Sequence, residues 1–361
     1  MQKEPTTYKN GRGAQLNPHN RFASHQYKTE DSYLEYLRLN GEDVSQQRKT
    51  KIIEVFPKSI VNKVVSPDVG MNWSLNPYQG CEHGCAYCYA RSSHEYWGYS
   101  AGSEFEENIL VKKNAPELLE NLLYKKSWKP ETIVLSGNTD CYQPVERELK
   151  ITRQLLEIFL KFKHPVGIIT KNALIQRDLD IVEELAALNL IAVNISITSL
   201  DEDLRRKLEP RTASAKKRIE TVKSLSNIGI PVNVMMAPII PGLNSHEVMN
   251  LAETVADAGA SSIAYTMVRL NGQIAEIFKD WCEVHYPDRA DKIIHQIEET
   301  HGGALNDSNF GRRMRGDGKV AENVSAMMKL ARKRFFKGRS IKPLTTSLFE
   351  RPAKDGQISL F

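Results

Sequence analysis

Between Trp73 and Arg269, short β-branched runs alternate with longer amphipathic stretches, and this alternation limits the possible folds more than any other feature of the chain. The runs are MNWSL, TIVLSG (132–137), PVGIITK (165–171), IAVNISIT (191–198), PVNVMMAPI (231–239) and SSIAYTMVR (261–269). Between them lie helical patterns at 114–124, 145–163, 175–189, 214–229 and 245–259. Asn114 before Pro116, and Asn244-Ser245 before Glu247, supply helix-start chemistry, while Gly229 and Gly259 stand where helices should stop. Strands separated by helices pair in parallel through right-handed crossovers. Six such strands close only part of a ring. The expected fold is therefore α/β, a partial (β/α)6 TIM-type barrel with its reactive groups at the C-terminal ends of the strands.

Around this barrel, taken as 51–271, the chain divides into a polar N-terminal extension (1–50), a basic helical region (272–342) and a tail (343–361). Within the extension GRGAQLNPHNRF reads as irregular and DSYLEYLRL as the one helical pattern, an arrangement suited to wrapping a core. At 361 residues, 41% hydrophobic and 26% charged, the chain has the material for a large folded core. No stretch approaches the ~18 apolar residues of a membrane span, and MQKEPTTYKNGRG has no apolar h-region. The expectation is a cytoplasmic protein with no membrane partner. The net charge of +5 is uneven: between Arg312 and Lys342 eleven Lys or Arg face only Asp317 and Glu322. Such a segment, with RKRFFKGR at 332–339, either attracts a polyanion or forms a solvated helix face.

Three of the five cysteines fall within eight positions, in Asn76-Pro-Tyr-Gln-Gly-Cys81-Glu-His-Gly-Cys85-Ala-Tyr-Cys88-Tyr-Ala-Arg91. That crowding points to a metal centre in a reducing compartment, not to a disulfide framework. Three thiolates at C-x3-C-x2-C ligate three irons of a cubane and leave the fourth open to a chelating amine and carboxylate. Gly80 and Gly84 permit the tight turns, and Cys85 and Cys88 share a face if a helix starts there. Zinc, with His83 or His94 as fourth ligand, is the rival; it usually needs a second C-x2-C knuckle or a His pair.

At these residues the chain resembles the radical S-adenosylmethionine (SAM) superfamily. With SGNTD (136–140), ITK (169–171), ISITSLD (195–201), LEPRT (208–212) and APIIPGLN (237–244), the likeness is to its spore photoproduct lyase-like branch and covers about residues 50–270. The resemblance implies a [4Fe-4S] cluster on Cys81, Cys85 and Cys88, SAM across the barrel mouth, a 5′-deoxyadenosyl radical, and a flavodoxin or ferredoxin as electron donor. Matched strand by strand, it implies Thr139 and Asp140 for the SAM amino group and Lys171 for the carboxylate. Ser196 and Thr198 take the ribose or carboxylate, and Tyr87 the adenine. Tyr89 corresponds to a tyrosine that relays hydrogen. The lyase also uses a strand cysteine as donor. The nearby candidate is Cys141, one residue beyond SGNTD and out of clear register, so the substrate does not carry over.

The chain ends Gln357-Ile-Ser-Leu360-Phe361, similar to the peptide by which bacterial polymerases and repair proteins dock on the sliding clamp. Leu360 and Phe361 suit an apolar pocket and Gln357 directional hydrogen bonds. Tail, basic segment and barrel together point to DNA lesion repair or processing. The alternatives are a radical SAM enzyme for RNA, a peptide or a small metabolite, and a non-enzymatic iron–sulfur redox or metal-binding module.

Overall fold

The computed structural model describes residues 11–23 and 50–353. The DSYLEYLRL pattern and the tail residues Gln357, Leu360 and Phe361 lie outside them. Six parallel strands form the wall of a partial barrel: β3 (Trp73–Leu75), β6 (Ile133–Leu135), β7 (Val166–Thr170), β8 (Ile191–Ser196), β9 (Val232–Ile239) and β10 (Ser262–Met267). Each falls inside one of the six β-branched runs. An antiparallel strand, β2 (Val61–Lys63), adds to β3 at one edge, and β10 forms the other, so the ring stays open between them. A small separate sheet joins β1 (Lys51–Val55), β5 (Asn108–Lys112) and β4 (Tyr78–Gln79). No periodicity announces it, because β4 is two residues long and β1 is largely exposed.

Helices Ala115–Tyr124, Ile151–Lys161, Leu179–Ala187, Ala215–Asn227 and Val248–Asp257 cover the outer face. The pattern at 145–163 is two helices, not one. Lys150 takes a left-handed conformation (φ 54°) and breaks it after Glu146–Leu149. The pattern at 175–189 likewise begins as a 3₁₀ turn, Ala173–Asp178, capped by the Asn172 side chain. The main core is an apolar cluster between strands and helices, with Ile133, Leu135, Val166, Ile168, Val193, Ile195, Val232 and Val234 excluded from solvent.

Within 272–340 the helices are Gln273–His285, Ala290–Glu299 and Gly318–Phe335. Their charge, however, is not where a single basic patch would put it. The loop before Gly318–Phe335 meets the mouth, where Met267 N–H donates to the Met314 carbonyl. The far end of that helix reaches the opposite end of the barrel. Arg332 donates to the carbonyl of Ile263 at the start of β10, and Arg339 to those of Ala256 and Ala260. RKRFFKGR therefore sits at the barrel floor.

From there the chain crosses the floor as a strap. Asn189 holds the Pro343 carbonyl at 3.0 Å and accepts from Thr345, Glu350 N–H donates to the Phe162 carbonyl, and Arg351 caps Leu123, Lys125 and Trp128. Phe349 packs against Phe162 and His164 at 6.5 and 5.5 Å between ring centroids. Helix C-terminal carbonyls that would otherwise face water or an apolar gap are thus satisfied. Phe349→Ala should lower stability by about 1–2 kcal/mol through lost apolar burial. Urea unfolding monitored by circular dichroism measures this, and an unchanged midpoint would show that the strap is not integral to the floor.

Candidate active site

The mouth holds a cavity of about 410 Å3. Cys81, His83, Cys85, Tyr87 and Cys88 form one side; Asp140, Lys171 and Ser196 come from successive strand ends; Val64, Val69, Met71, Met235, Met267 and Met314 make an apolar wall. Three thiols from one loop and the ends of three strands converge on it.

The cysteine loop follows β3 and is held from outside by backbone bonds. Cys81 N–H donates to the Phe105 carbonyl (2.9 Å), Ala86 N–H to Leu208 (3.0 Å) and Arg211 N–H to His83 (3.3 Å). Cys85 and Cys88 share a turn (3.3 Å), with no α-helix through them, since Cys88 is extended (ψ 120°) before the 3₁₀ helix Tyr89–Trp97. All three thiols are free of disulfides and open on the cavity. Burial pushes each thiol up from its ordinary value, with Asp140, Cys85 and Cys88 adding repulsion at Cys81. Thiolates so placed need cationic charge to form, and iron fits the donor set. The zinc alternative finds no fourth ligand in either histidine. His94 is buried outside the cavity, stacked on Tyr99, and burial lowers it to about 4. His83 faces Asp140 (3.4 Å) and Asn172 (3.4 Å).

A segment that sequence reasoning left as irregular completes the loop's housing. The strap Gly11–Ala23 runs over it so closely that a Cβ on Gly13 would lie 1.6 Å from the Gly84 carbonyl oxygen. Gly84 itself has φ +67°, a turn that favours glycine. The fully buried Glu106 carboxylate accepts from Gly13 N–H (3.1 Å), Ala14 N–H (2.9 Å) and Arg91 Nη2 (2.5 Å). Arg91 in turn donates through Nε to the Cys85 carbonyl (3.0 Å). One carboxylate thus ties strap and cysteine loop together.

Behind Tyr87 lies a second buried pair. Arg218 Nη2 reaches Glu209 at 2.7 Å, and Glu209 also accepts from Thr198 Oγ1 (2.6 Å) and from the Tyr87 hydroxyl. Burial works to raise the Glu209 carboxyl, but Arg218, then Lys171 and the two hydroxyls, outweigh it and hold it at about 2. Lys171 Nζ sits 6.0 Å from the Tyr87 ring centroid. Asp140 is fully engaged: it accepts from Thr170 Oγ1, Lys171 N–H and Tyr142 N–H, each at 2.8 Å. Burial works to raise its carboxyl as well, and the His83 imidazole is the first of the groups that hold it below its usual range.

Three residues do not reach the cavity. Thr139 donates to the Tyr78 carbonyl (2.6 Å), Thr198 lies behind Tyr87, and Cys141 is packed in the main core. The reason for Cys141 is local. Cys141 N–H folds back onto Ser136 Oγ (2.7 Å), in a turn where Ser136 has φ 70°, and its neighbour Asp140 takes the inward direction. Tyr89 does line the cavity, its hydroxyl donating to the Gly137 carbonyl (2.7 Å). Glu209, Arg218, Glu106 and Gly13 were missed; of these only Glu209 carried a signal, as the acid of LEPRT.

Gly13→Ala should displace the cysteine loop and leave less iron per chain after anaerobic reconstitution, whereas Gly11→Ala, with open space around it, should be milder. Iron analysis with the charge-transfer absorption measures this; equal iron in both would refute it. For Glu209, whose ordinary value is 4.5, the stabilisation is complete above that pH and is lost as pH falls toward about 2. Glu209→Gln should therefore flatten the acid side of a stability–pH curve taken on the metal-free chain.

The radical SAM superfamily model matches residues 75–255. An uncharacterized protein of Mycobacterium tuberculosis is 31% identical over 238 residues, which is 65% of this chain and 70% of that protein. One from Methanocaldococcus jannaschii is 30% identical over 248 residues, 69% and 88% respectively. Among solved structures, spore photoproduct lyase complexed with dinucleoside spore photoproduct superposes with a TM-score of 0.58 at 15% identity, covering 80% of each chain, a likeness of fold. The family model spans half the chain, its cysteines lie in the matched region, and the partial barrel is the expected one. This chain belongs to the radical SAM superfamily and is an enzyme of that family, whose cofactors are a [4Fe-4S] cluster and SAM.

Proposed function

We propose that this enzyme acts on a nucleobase of DNA, reversing or processing a lesion. The observation that carries the reading is the cavity: beside three thiols it offers an apolar, methionine-lined wall with a cation, Arg269, at its edge. An apolar slot with a cation is what a base attached to a phosphate backbone requires. Spore photoproduct lyase, which shares the fold, has been captured with a dinucleoside lesion.

In this reading Cys81, Cys85 and Cys88 ligate the cluster, which with SAM supplies a 5′-deoxyadenosyl radical when both are bound. Lys171 takes the SAM carboxylate as a point charge and Ser196 a hydroxyl contact. The Tyr87 ring, its hydroxyl fixed by Glu209, offers a face for adenine. Asp140 acts through others, orienting Lys171 and His83. Tyr89 is the candidate for hydrogen relay, since Cys141 is buried behind the wall. Electrons come from a flavodoxin or ferredoxin. The clamp-like residues Gln357, Leu360 and Phe361 remain a proposed docking peptide.

A second reading, with RNA, a peptide or a small metabolite as substrate, is favoured by the position of RKRFFKGR at the floor, which leaves the mouth less cationic. Anaerobic reconstitution with SAM and dithionite should yield 5′-deoxyadenosine, and Cys88→Ala should abolish it. Damaged duplex DNA should bind at low salt and weaken as salt rises. DNA that neither binds nor changes SAM cleavage would eliminate the DNA reading and leave the second.

A further inference from the structure

Arg269 lines the cavity, and the loop before Gly318–Phe335 adds Arg312, Arg313 and Arg315, which all have partners. Arg312 pairs with Asp307, Arg313 with Asp68 and the Ser66 hydroxyl, and Arg315 lies over the Tyr265 ring at 5.9 Å. Arg269 differs. It stands two residues beyond the end of β10, half-buried in the cavity wall, and no carboxylate lies within ion-pair distance of it among the described residues. Nor is it placed like Lys171, the other cation in the cavity. Lys171 belongs to β7 on the cysteine side, with Glu209 as its electrostatic partner. Arg269 belongs to the open seam of the barrel, beside Met314 and the loop that carries Val64, Val69 and Met71.

The carboxylates that act on Arg269, Asp68 and Asp307, are already paired to Arg313 and Arg312, so a half-buried guanidinium here gains from an anion of its own, and its planar fork matches a phosphate or carboxylate in bidentate fashion. We propose that Arg269 is the anion-recognition residue of the substrate pocket, taking a phosphate of the substrate while Val64, Val69, Met71 and Met314 receive the apolar part joined to it. Burial, and then repulsion from Arg313, push the Arg269 guanidinium down from its ordinary value against the attraction of Asp68 and Asp307, and an incoming anion would add to that attraction. Tyr89 is also electrostatically coupled to Arg269, so the anion would be anchored on the side of the cavity that holds the proposed relay residue. The inference rests on the nucleic-acid reading for the choice of phosphate and names the contact by which that substrate would be oriented.

The test is phenylglyoxal modification of Arg269, followed by peptide mass spectrometry on the anaerobically reconstituted full-length chain. Millimolar inorganic phosphate should slow the modification relative to chloride at equal ionic strength. The dinucleotide TpT should slow it further, and its uncharged methylphosphonate analogue should not. Protection by phosphate without protection by TpT supports the anion site and removes the DNA reading. Absence of protection by either, or full protection by SAM alone, overturns the proposal, the latter because the arginine would then belong to the cofactor. Equilibrium binding gives an independent readout. The wild-type chain should prefer TpT over the methylphosphonate by about tenfold or more. Arg269→Lys should keep part of that preference and Arg269→Gln should lose it; an equal preference in Arg269→Gln would also refute the assignment.

Discussion

Three thiols on one short loop, Cys81 and Cys85 buried and Cys88 half-buried, resist ionisation together, and most of the mouth is arranged around that difficulty. Burial raises each of Cys81, Cys85 and Cys88, and mutual repulsion opposes a second and third thiolate. Iron supplies the missing positive charge only if the sulfurs are already held in place, because a loop that had to be ordered on binding would lose affinity to conformational entropy. The chain meets this with backbone bonds to Phe105 and to Leu208 and Arg211, two segments distant in sequence. Few of these bonds come from the loop itself, so its order depends on the barrel being complete.

Two buried ion pairs bracket the loop, Arg91 with Glu106 on the strap side and Arg218 with Glu209 on the strand side. Taking such pairs out of water gains little stability on balance, and losing one partner costs several kcal/mol. Their value here is directional. Glu106 accepts three donors from two segments, and Glu209 fixes both Tyr87 and Thr198, so each carboxylate sets the orientation of groups that line or support the cavity. A neutral core would pack as well but would not dictate where the Tyr87 hydroxyl points.

Local chemistry made the barrel readable. Alternation of Val and Ile runs with amphipathic stretches is a property of each unit, and so is a cysteine spacing that fits an open cluster. What escaped depends on contacts between remote segments. Nothing near Gly13 reveals that Gly84 approaches it, and a two-residue strand such as Tyr78–Gln79 has no period to detect. Cys141 and Asp140 show the limit most clearly. Both stand at the end of one strand, but the Ser136 turn decides which faces the cavity, and that choice is backbone geometry. The basic segment shows the same limit: its charge is countable, whereas its division between mouth and floor follows from the direction of the helix Gly318–Phe335 across the barrel wall.

That division separates two tasks. The cavity lies at the mouth, where its walls are largely apolar and Lys171 and Arg269 are the lining cations among the described residues. The floor gathers Arg332, Arg339 and Arg351, each donating to backbone carbonyls before or at strand starts. Arg339 and Arg351 satisfy carbonyls at helix ends and Arg332 one on a strand, a structural use of charge for these guanidiniums.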